Sequence, residues 1–140
     1  TEVEEAFVPM SVSITLDDDL DVSRGDMIVR SNNVPDLSQD IDIMICWLND
    51  SSARPTAKYN LMHTSNNQKA IIKEVLYKID INTYNRINDD KHLKMNDIAR
   101  VKLRVTKPLL KDSYRDNRIT GSLILIDEST NETVAAGMIL

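Results

Sequence analysis

The run from Asn117 to Asp127 and the run from Thr133 to Leu140, joined across the polar stretch Glu128-Ser129-Thr130-Asn131, read as one β-hairpin spanning Arg118 to Leu140. An isolated hairpin is marginal in water, so this one requires further strands to close against. The rest of the chain supplies them. Val12, Ile14 and Leu16 alternate with Ser11, Ser13 and Thr15, and Ile41, Ile43, Ile45 and Trp47 alternate with Asp40, Asp42, Met44 and Cys46. Val101, Leu103 and Val105 alternate with Arg100, Lys102 and Arg104, which predicts a strand with a cationic outer face ending near Pro108.

The stretch from Gln68 to Ile81 fits two templates. Ile71, Ile72, Val75, Leu76 and Ile79 trace a helical stripe, whereas Ile71, Val75, Tyr77, Ile79 and Ile81 share one face of a strand. Ile and Tyr favour sheets, so a long strand is the preferred reading. Turns fall at Asn and Asp clusters such as Ser31-Asn32-Asn33 and Asn88-Asp89-Asp90, whose short side chains suit tight turns. Short strands punctuated in this way predict an all-β barrel or sandwich. Residues 31–37, with Asn-Asn and Val-Pro, look like a linker. They separate an N-terminal hairpin within Pro9–Arg30, too small for its own core, from a compact domain at 38–140.

Composition bounds the function. In 140 residues with 41% apolar content there is enough for one sizeable core, and a net charge of −5 disfavours sequence-independent binding to nucleic acid. Aromatic residues are 4% of the chain, too few for base-stacking platforms. The single cysteine, Cys46, excludes an intrachain disulfide framework. No apolar stretch approaches the roughly 20 residues needed to span a bilayer, and the start Thr-Glu-Val-Glu-Glu has no secretory pattern. A cytoplasmic setting is expected.

Motifs that suggest chemistry fail on their spacing. Asp17, Asp19 and Asp21 match the opening of a calcium loop, but Val22 stands where that loop needs Gly and Ile28 where it needs Glu. Arg24-Gly25-Asp26 is read as a turn into a strand. The tripeptides Asn49-Asp50-Ser51 and Asn131-Glu132-Thr133 would matter only in a secreted protein. Cys46, His63 and His92 lie in unrelated segments, with neither metal-ligand nor nucleophile–base spacing. With glycine only at Gly25, Gly121 and Gly137, the sequence has no phosphate-binding loop. The cationic row Arg100, Lys102 and Arg104, with Lys107 just beyond, is the candidate interface for an acidic surface; its plain alternative is a solvated strand face that discourages edge pairing.

Several separated blocks carry a family resemblance: Ser23-Arg24-Gly25-Asp26-Met27, Asp97-Ile98-Ala99-Arg100-Val101-Lys102, Asn117-Arg118-Ile119-Thr120-Gly121 and the run Thr133 to Leu140. Lys58-Tyr59, His63 and Ile79 to Thr83 fit the same pattern. Together they resemble the GTPase subunit of bacterial sulfate adenylyltransferase, within the elongation factor Tu-like superfamily. That resemblance implies a GTP-binding domain followed by two barrels. Residues 1–30 would be the last hairpin of the second domain, residues 31–37 a linker, and residues 38–140 a Greek-key barrel of the elongation factor Tu third-domain type. The parent would couple GTP hydrolysis to the reaction of ATP with sulfate, giving adenosine 5′-phosphosulfate and pyrophosphate. GTP and Mg would belong to a domain absent from this sequence. The implied partners are the adenylyltransferase subunit and the parent's own GTPase domain, and in some relatives an adenylylsulfate kinase domain follows the barrel.

No catalytic, cofactor or metal residue carries over, because none of the family's GTPase motifs matches a position here. The matched residues are architectural by implication. Gly25 frees a turn, Gly121 and Gly137 permit close strand approach or a bulge, and Arg118 and Asp127 tie the hairpin ends. The chain departs from the pattern at Arg54-Pro55-Thr56-Ala57, where the family commonly places a glycine, and at the unusually polar Asn88–Leu93, expected as a mobile tip. The alternative reading is a barrel module of the translation-factor class that binds RNA or protein through its cationic strand.

Overall fold

In a computed structural model that describes residues 2–140, seven strands follow in order: β1 (Asp36–Trp47), β2 (Lys58–His63), β3 (Asn66–Ile79), β4 (Arg86–Ile87), β5 (Ile98–Lys111), β6 (Ser122–Asp127) and β7 (Thr133–Ile139). Every pairing is antiparallel. The order β2-β6-β7-β1-β5-β3 closes through a β2–β3 ladder into a six-stranded barrel, with the two-residue β4 added to the edge of β3. β2, β3 and β5 form a meander and β1, earlier in the chain, lies beside β5, which makes the connection a Greek key. Closure removes the exposed sheet edges that an open sheet would present. Among the described residues no helix is long and apolar enough to cross a membrane.

β1 follows the predicted alternation: Ile41, Ile43, Ile45 and Trp47 are buried and the residues between them face outward. The C-terminal hairpin also forms, with Leu123, Leu125, Val134, Ala135 and Ile139 in the same core. Trp47 anchors one end of the barrel. Its ring meets Tyr59 edge-on, with centroids 5.8 Å apart, and its Nε1 donates to the Ser51 carbonyl at 2.8 Å. Its backbone exchanges hydrogen bonds with Asp97 and Asn96, so two loops and the start of β2 depend on one side chain and its peptide groups.

β3 is a strand, but not the uniform face that strict alternation predicts. Bulges between Ile72 and Glu74 and between Val75 and Tyr77 each insert one residue. The register against buried Val105, Leu103, Val101 and Ala99 therefore places Ala70, Ile72, Val75 and Lys78 inward. Their spacing lengthens from two to three residues, which is why a helical stripe also fits this stretch.

Two further expectations change. β5 runs past Pro108 to Lys111, because Leu109 re-enters the core and the β1–β5 register slips between Ser38/Leu109 and Asp40/Arg104, placing Pro108 in the irregular segment. Residues 2–35 contain no strand, although strands were expected within Pro9–Arg30. Ile14 stays 64% and Ile28 75% exposed, so the burial that would offset the entropy of ordering a ribbon is not gained.

Candidate functional site

The outward residues of β1 divide the barrel's outer surface into two regions. Asp40 and Asp42 begin a polar face shared with β5 and β3, and Met44 and Cys46 begin an apolar one shared with β7 and β6.

On the polar face, the cations expected to await an acidic partner already have acids beside them. Arg104 Nη1 lies 2.8 Å from Asp40 Oδ2, and Arg100 donates through Nε and Nη2 to both oxygens of Asp42. These hydrogen bonds and the neighbouring charge hold the Asp40 carboxyl below its usual range and raise the Arg100 guanidinium above its own. Lys102 is cross-strand from Asp42 on one side and Glu74 on the other, and Lys73 Nζ stands 3.8 Å from Asp40. The row is an interleaved ladder of both signs. Exposed pairs of this kind add little to stability and are screened by salt. Lys107 sits apart, its backbone N–H donating to Gln68 Oε1.

The apolar region is a groove of about 590 Å³ over the outer faces of β1, β7, β6 and β2, with Met44, Cys46, Met62, Ile124 and Met138 along it and Ile119 at its margin. Unbranched thioethers can repack against a facing surface, so methionine suits a docking face. The groove follows the hairpin's registration, and glycine makes that packing possible. A Cβ on Gly137 would lie 3.0 Å from Ile43 and 3.2 Å from Leu123 side chains. A Cβ on Gly121 would lie 2.4 Å from the Tyr114 backbone, where the 113–121 turn folds onto the barrel end and Tyr114 N–H reaches the Ile139 carbonyl.

Sequence reasoning missed a third arrangement. Lys78 is buried, and its ammonium lies 2.7 Å from both Asp90 and Asp97 and donates to the His92 carbonyl at 2.9 Å. Burial works against the charged form, but the two carboxylates outweigh it and raise the Lys78 pKa; the Lys78 hydrogen bond in turn lowers that of Asp90. Asn88–Leu93 is therefore not a free tip. Leu93 is buried in the core, its carbonyl accepts from Ala53, and Lys78 grips either side of it. The signal in the sequence was a lysine at an inward position, visible only once the two bulges are known.

The remaining candidates are dispersed. Cys46 lines the outer groove, His63 is buried at the opposite barrel end from Trp47 with Nε2 on the Thr120 carbonyl, and His92 is in the 88–97 loop. Among the described residues no three His, Cys, Asp or Glu groups are arranged to hold a metal ion. Asp127 caps the β6–β7 turn through Ser129 and Thr130, and hydrogen bonds from the Ser129 hydroxyl and amide pull its pKa down to about 2. Its ion-pair partner is Arg54, at 2.9 Å, whereas Arg118 is exposed and makes no ion pair among the described residues. Gly25 takes φ +101°, and Thr56 takes φ 61° in the loop where a glycine is expected.

Comparison with known proteins fits this geometry. The sequence profile described as GTP-eEF1A C-terminal domain-like matches residues 40–140. The chain is 48% identical over 139 residues to the bifunctional enzyme CysN/CysC of Mycobacterium tuberculosis, covering 99% of this chain and 23% of that protein. It is 41% identical over 140 residues to sulfate adenylyltransferase subunit 1 of Sulfurovum sp., covering all of this chain and 29% of that protein. The chain thus spans roughly a quarter of the length of these curated relatives. In three dimensions it superimposes on Sup35 complexed with GMPPNP at a TM-score of 0.70 and 17% identity, covering 79% of this chain and 27% of that one. The GTP-bound GTPase-like domain of S. cerevisiae Ski7 gives 0.56 at 13% identity, covering 79% and 22%. These two likenesses are of fold.

Proposed function

Because the chain belongs to the GTP-eEF1A C-terminal domain-like family, we propose that it is the non-catalytic barrel region of a sulfate adenylyltransferase GTPase subunit. The observation that carries this is the 41% identity running through the whole chain to a sulfate adenylyltransferase subunit 1, of which it spans 29%. In this reading residues 1–30 complete a preceding barrel, residues 31–37 link, and residues 38–140 form the terminal barrel, with β1 already beginning at Asp36 inside that link. The whole protein works in the cytoplasm, binds GTP with Mg in another domain, and couples GTP hydrolysis to formation of adenosine 5′-phosphosulfate and pyrophosphate from ATP and sulfate.

The barrel's contribution is positional. A closed, rigid sheet holds a methionine-lined groove of about 590 Å³ in a fixed orientation, and that groove is the surface offered to the nucleotide domain or to the adenylyltransferase subunit. The ion-paired state of Arg100 and Arg104 removes most of the support for an RNA-binding role. The test uses the full-length subunit with its adenylyltransferase partner. Met62→Glu with Met138→Glu, both outward-facing, is expected to abolish GTP-stimulated adenosine 5′-phosphosulfate synthesis while the thermal transition of the barrel stays unchanged. Wild-type GTP stimulation in that double variant sinks the docking role. Absence of GTP-stimulated synthesis in the wild-type complex sinks the family function itself.

A further inference from the structure

A second pocket, of about 570 Å³, lies against the β2–β3 turn on the outside of the barrel. Its walls come from three distant parts of the chain: Arg24 from the N-terminal segment, Lys69 from β3 and Lys107 from β5. No carboxylate lines it, in a chain whose net charge is −5. Lys69 reaches out to Glu128, but Arg24 and Lys107 make no ion pair among the described residues. The remaining lining is rich in donors. The side-chain amides of Asn60, Asn66 and Asn67 make no hydrogen bond among the described residues.

Gln68 adds an independent sign. The Lys107 N–H donates to Gln68 Oε1 at 2.8 Å, which fixes the orientation of the amide, because flipping it would set two donors face to face. Its Nε2 is then buried with no acceptor. Native structures rarely leave a buried donor unsatisfied without a reason. Beside Arg24, Gly25 takes φ +101°, and a Cβ added to it would lie 3.1 Å from Asn66 Nδ2, so this turn packs closely against the β2–β3 turn.

From these observations we infer that the pocket bounded by Arg24, Lys69 and Lys107 binds a tetrahedral oxyanion, a phosphate or sulfate group. Arg24 and Lys107, with amide donors around them and no carboxylate in the lining, are the complement of such a group, since charge-assisted hydrogen bonds to its oxygens are the strongest the site can make, and Lys69 would have to turn from Glu128 to join them. The pocket, at about 570 Å³, leaves room for an organic carrier beside the oxyanion. The site is separate from the methionine-lined groove and does not depend on the function proposed above.

The test is titration of the ¹⁵N-labelled chain with inorganic phosphate, inorganic sulfate and glycerol 3-phosphate at constant ionic strength, read from amide shifts. Saturable shifts at Arg24, Gly25, the 66–69 stretch and Lys107 are expected, with affinity reduced about tenfold by Arg24→Gln or Lys107→Gln. Lys102→Gln, which removes a cation of the same strand outside the pocket, is expected to leave affinity unchanged. Tighter binding of glycerol 3-phosphate than of phosphate supports the organic carrier, and equal binding replaces it with the free ion. Linear, unsaturated shifts, or a Lys102→Gln loss equal to that of Lys107→Gln, would falsify the site.

Discussion

Val12, Ile14 and Leu16 alternate with polar residues as cleanly as Ile41, Ile43 and Ile45 do, yet the first set remains 42–64% exposed and the second is at most 1% exposed. Local pattern is the same in both, so local pattern does not explain the outcome. β1 is flanked by β5 and β7 and its inner face meets a closed barrel, whereas the N-terminal run has no ladder on either side. Alternation states what a strand could bury. Neighbours decide whether it does.

The largest effect should come from breaking the favoured side of this comparison. Trp47→Ala removes the biggest buried side chain, its contact with Tyr59 and the Nε1 bond to the Ser51 carbonyl. A loss of about 4 kcal/mol in chemical denaturation is expected. A loss below about 1 kcal/mol would mean that this end of the barrel is not the cooperative anchor described.

Lys78→Met tests the same end through charge. The substitution keeps most of the buried stem but leaves Asp90 and Asp97 without their shared cation, and both are partly hydrated. Destabilisation of about 2 kcal/mol is expected, less than for a fully buried pair. Acid should loosen the same contact. Asp90 is depressed in the folded state, so its stabilisation is complete at neutral pH and is lost as pH falls below about 4, toward its folded value. In Lys78→Met the melting temperature should therefore decline less steeply over that acid range.

These two residues also mark how far the sequence could be read. The inward row of β1 from Ile41 to Trp47 was legible because its alternation is unbroken there, and the C-terminal hairpin was legible as two apolar runs across a polar turn, although a bulge puts Val134 and Ala135 both inside; the fold class followed from these elements. Lys78 was not, because two bulges move β3 from even to odd and back to even inward positions, and bulges leave no local signature in Ile72-Lys73-Glu74-Val75-Leu76-Tyr77. β2 was weakly marked, since Tyr59, Leu61 and His63 alternate with Asn60 and Met62 over a single short strand. The groove was hidden for a different reason. Met44, Cys46, Met62 and Met138 are dispersed in the chain and become one surface only after the sheet closes. For the cationic row Arg100-Lys102-Arg104, the sequence displayed one strand and not the acids of the strand beside it.

A smaller effect, of opposite sign, belongs to the loop before β2, where a glycine was expected. Thr56 occupies φ 61°, where a β-branched residue crowds its own backbone and glycine does not. Thr56→Gly should stabilise the barrel by about 1 kcal/mol, the relief of strain exceeding the added freedom of the unfolded chain. Thr56→Ala, which keeps a Cβ, should recover less, and equal gains from both would locate the strain in the threonine branch and not in the left-handed backbone.

The smallest effect is expected on the other side of the comparison. Ile14→Ser removes an isoleucine as apolar as Ile43, but one that is 64% exposed and outside the core cluster. In the 140-residue chain the change in stability should stay within about 0.5 kcal/mol, as for other surface substitutions. The same substitution in the full-length protein gives a different prediction if residues 1–30 complete a preceding barrel. There Ile14 would gain the neighbours it lacks here, and its loss should cost about 2–4 kcal/mol of that barrel's stability. A negligible effect in both settings would leave the alternation of Val12, Ile14 and Leu16 without a structural role, and would separate it from the otherwise identical pattern in β1.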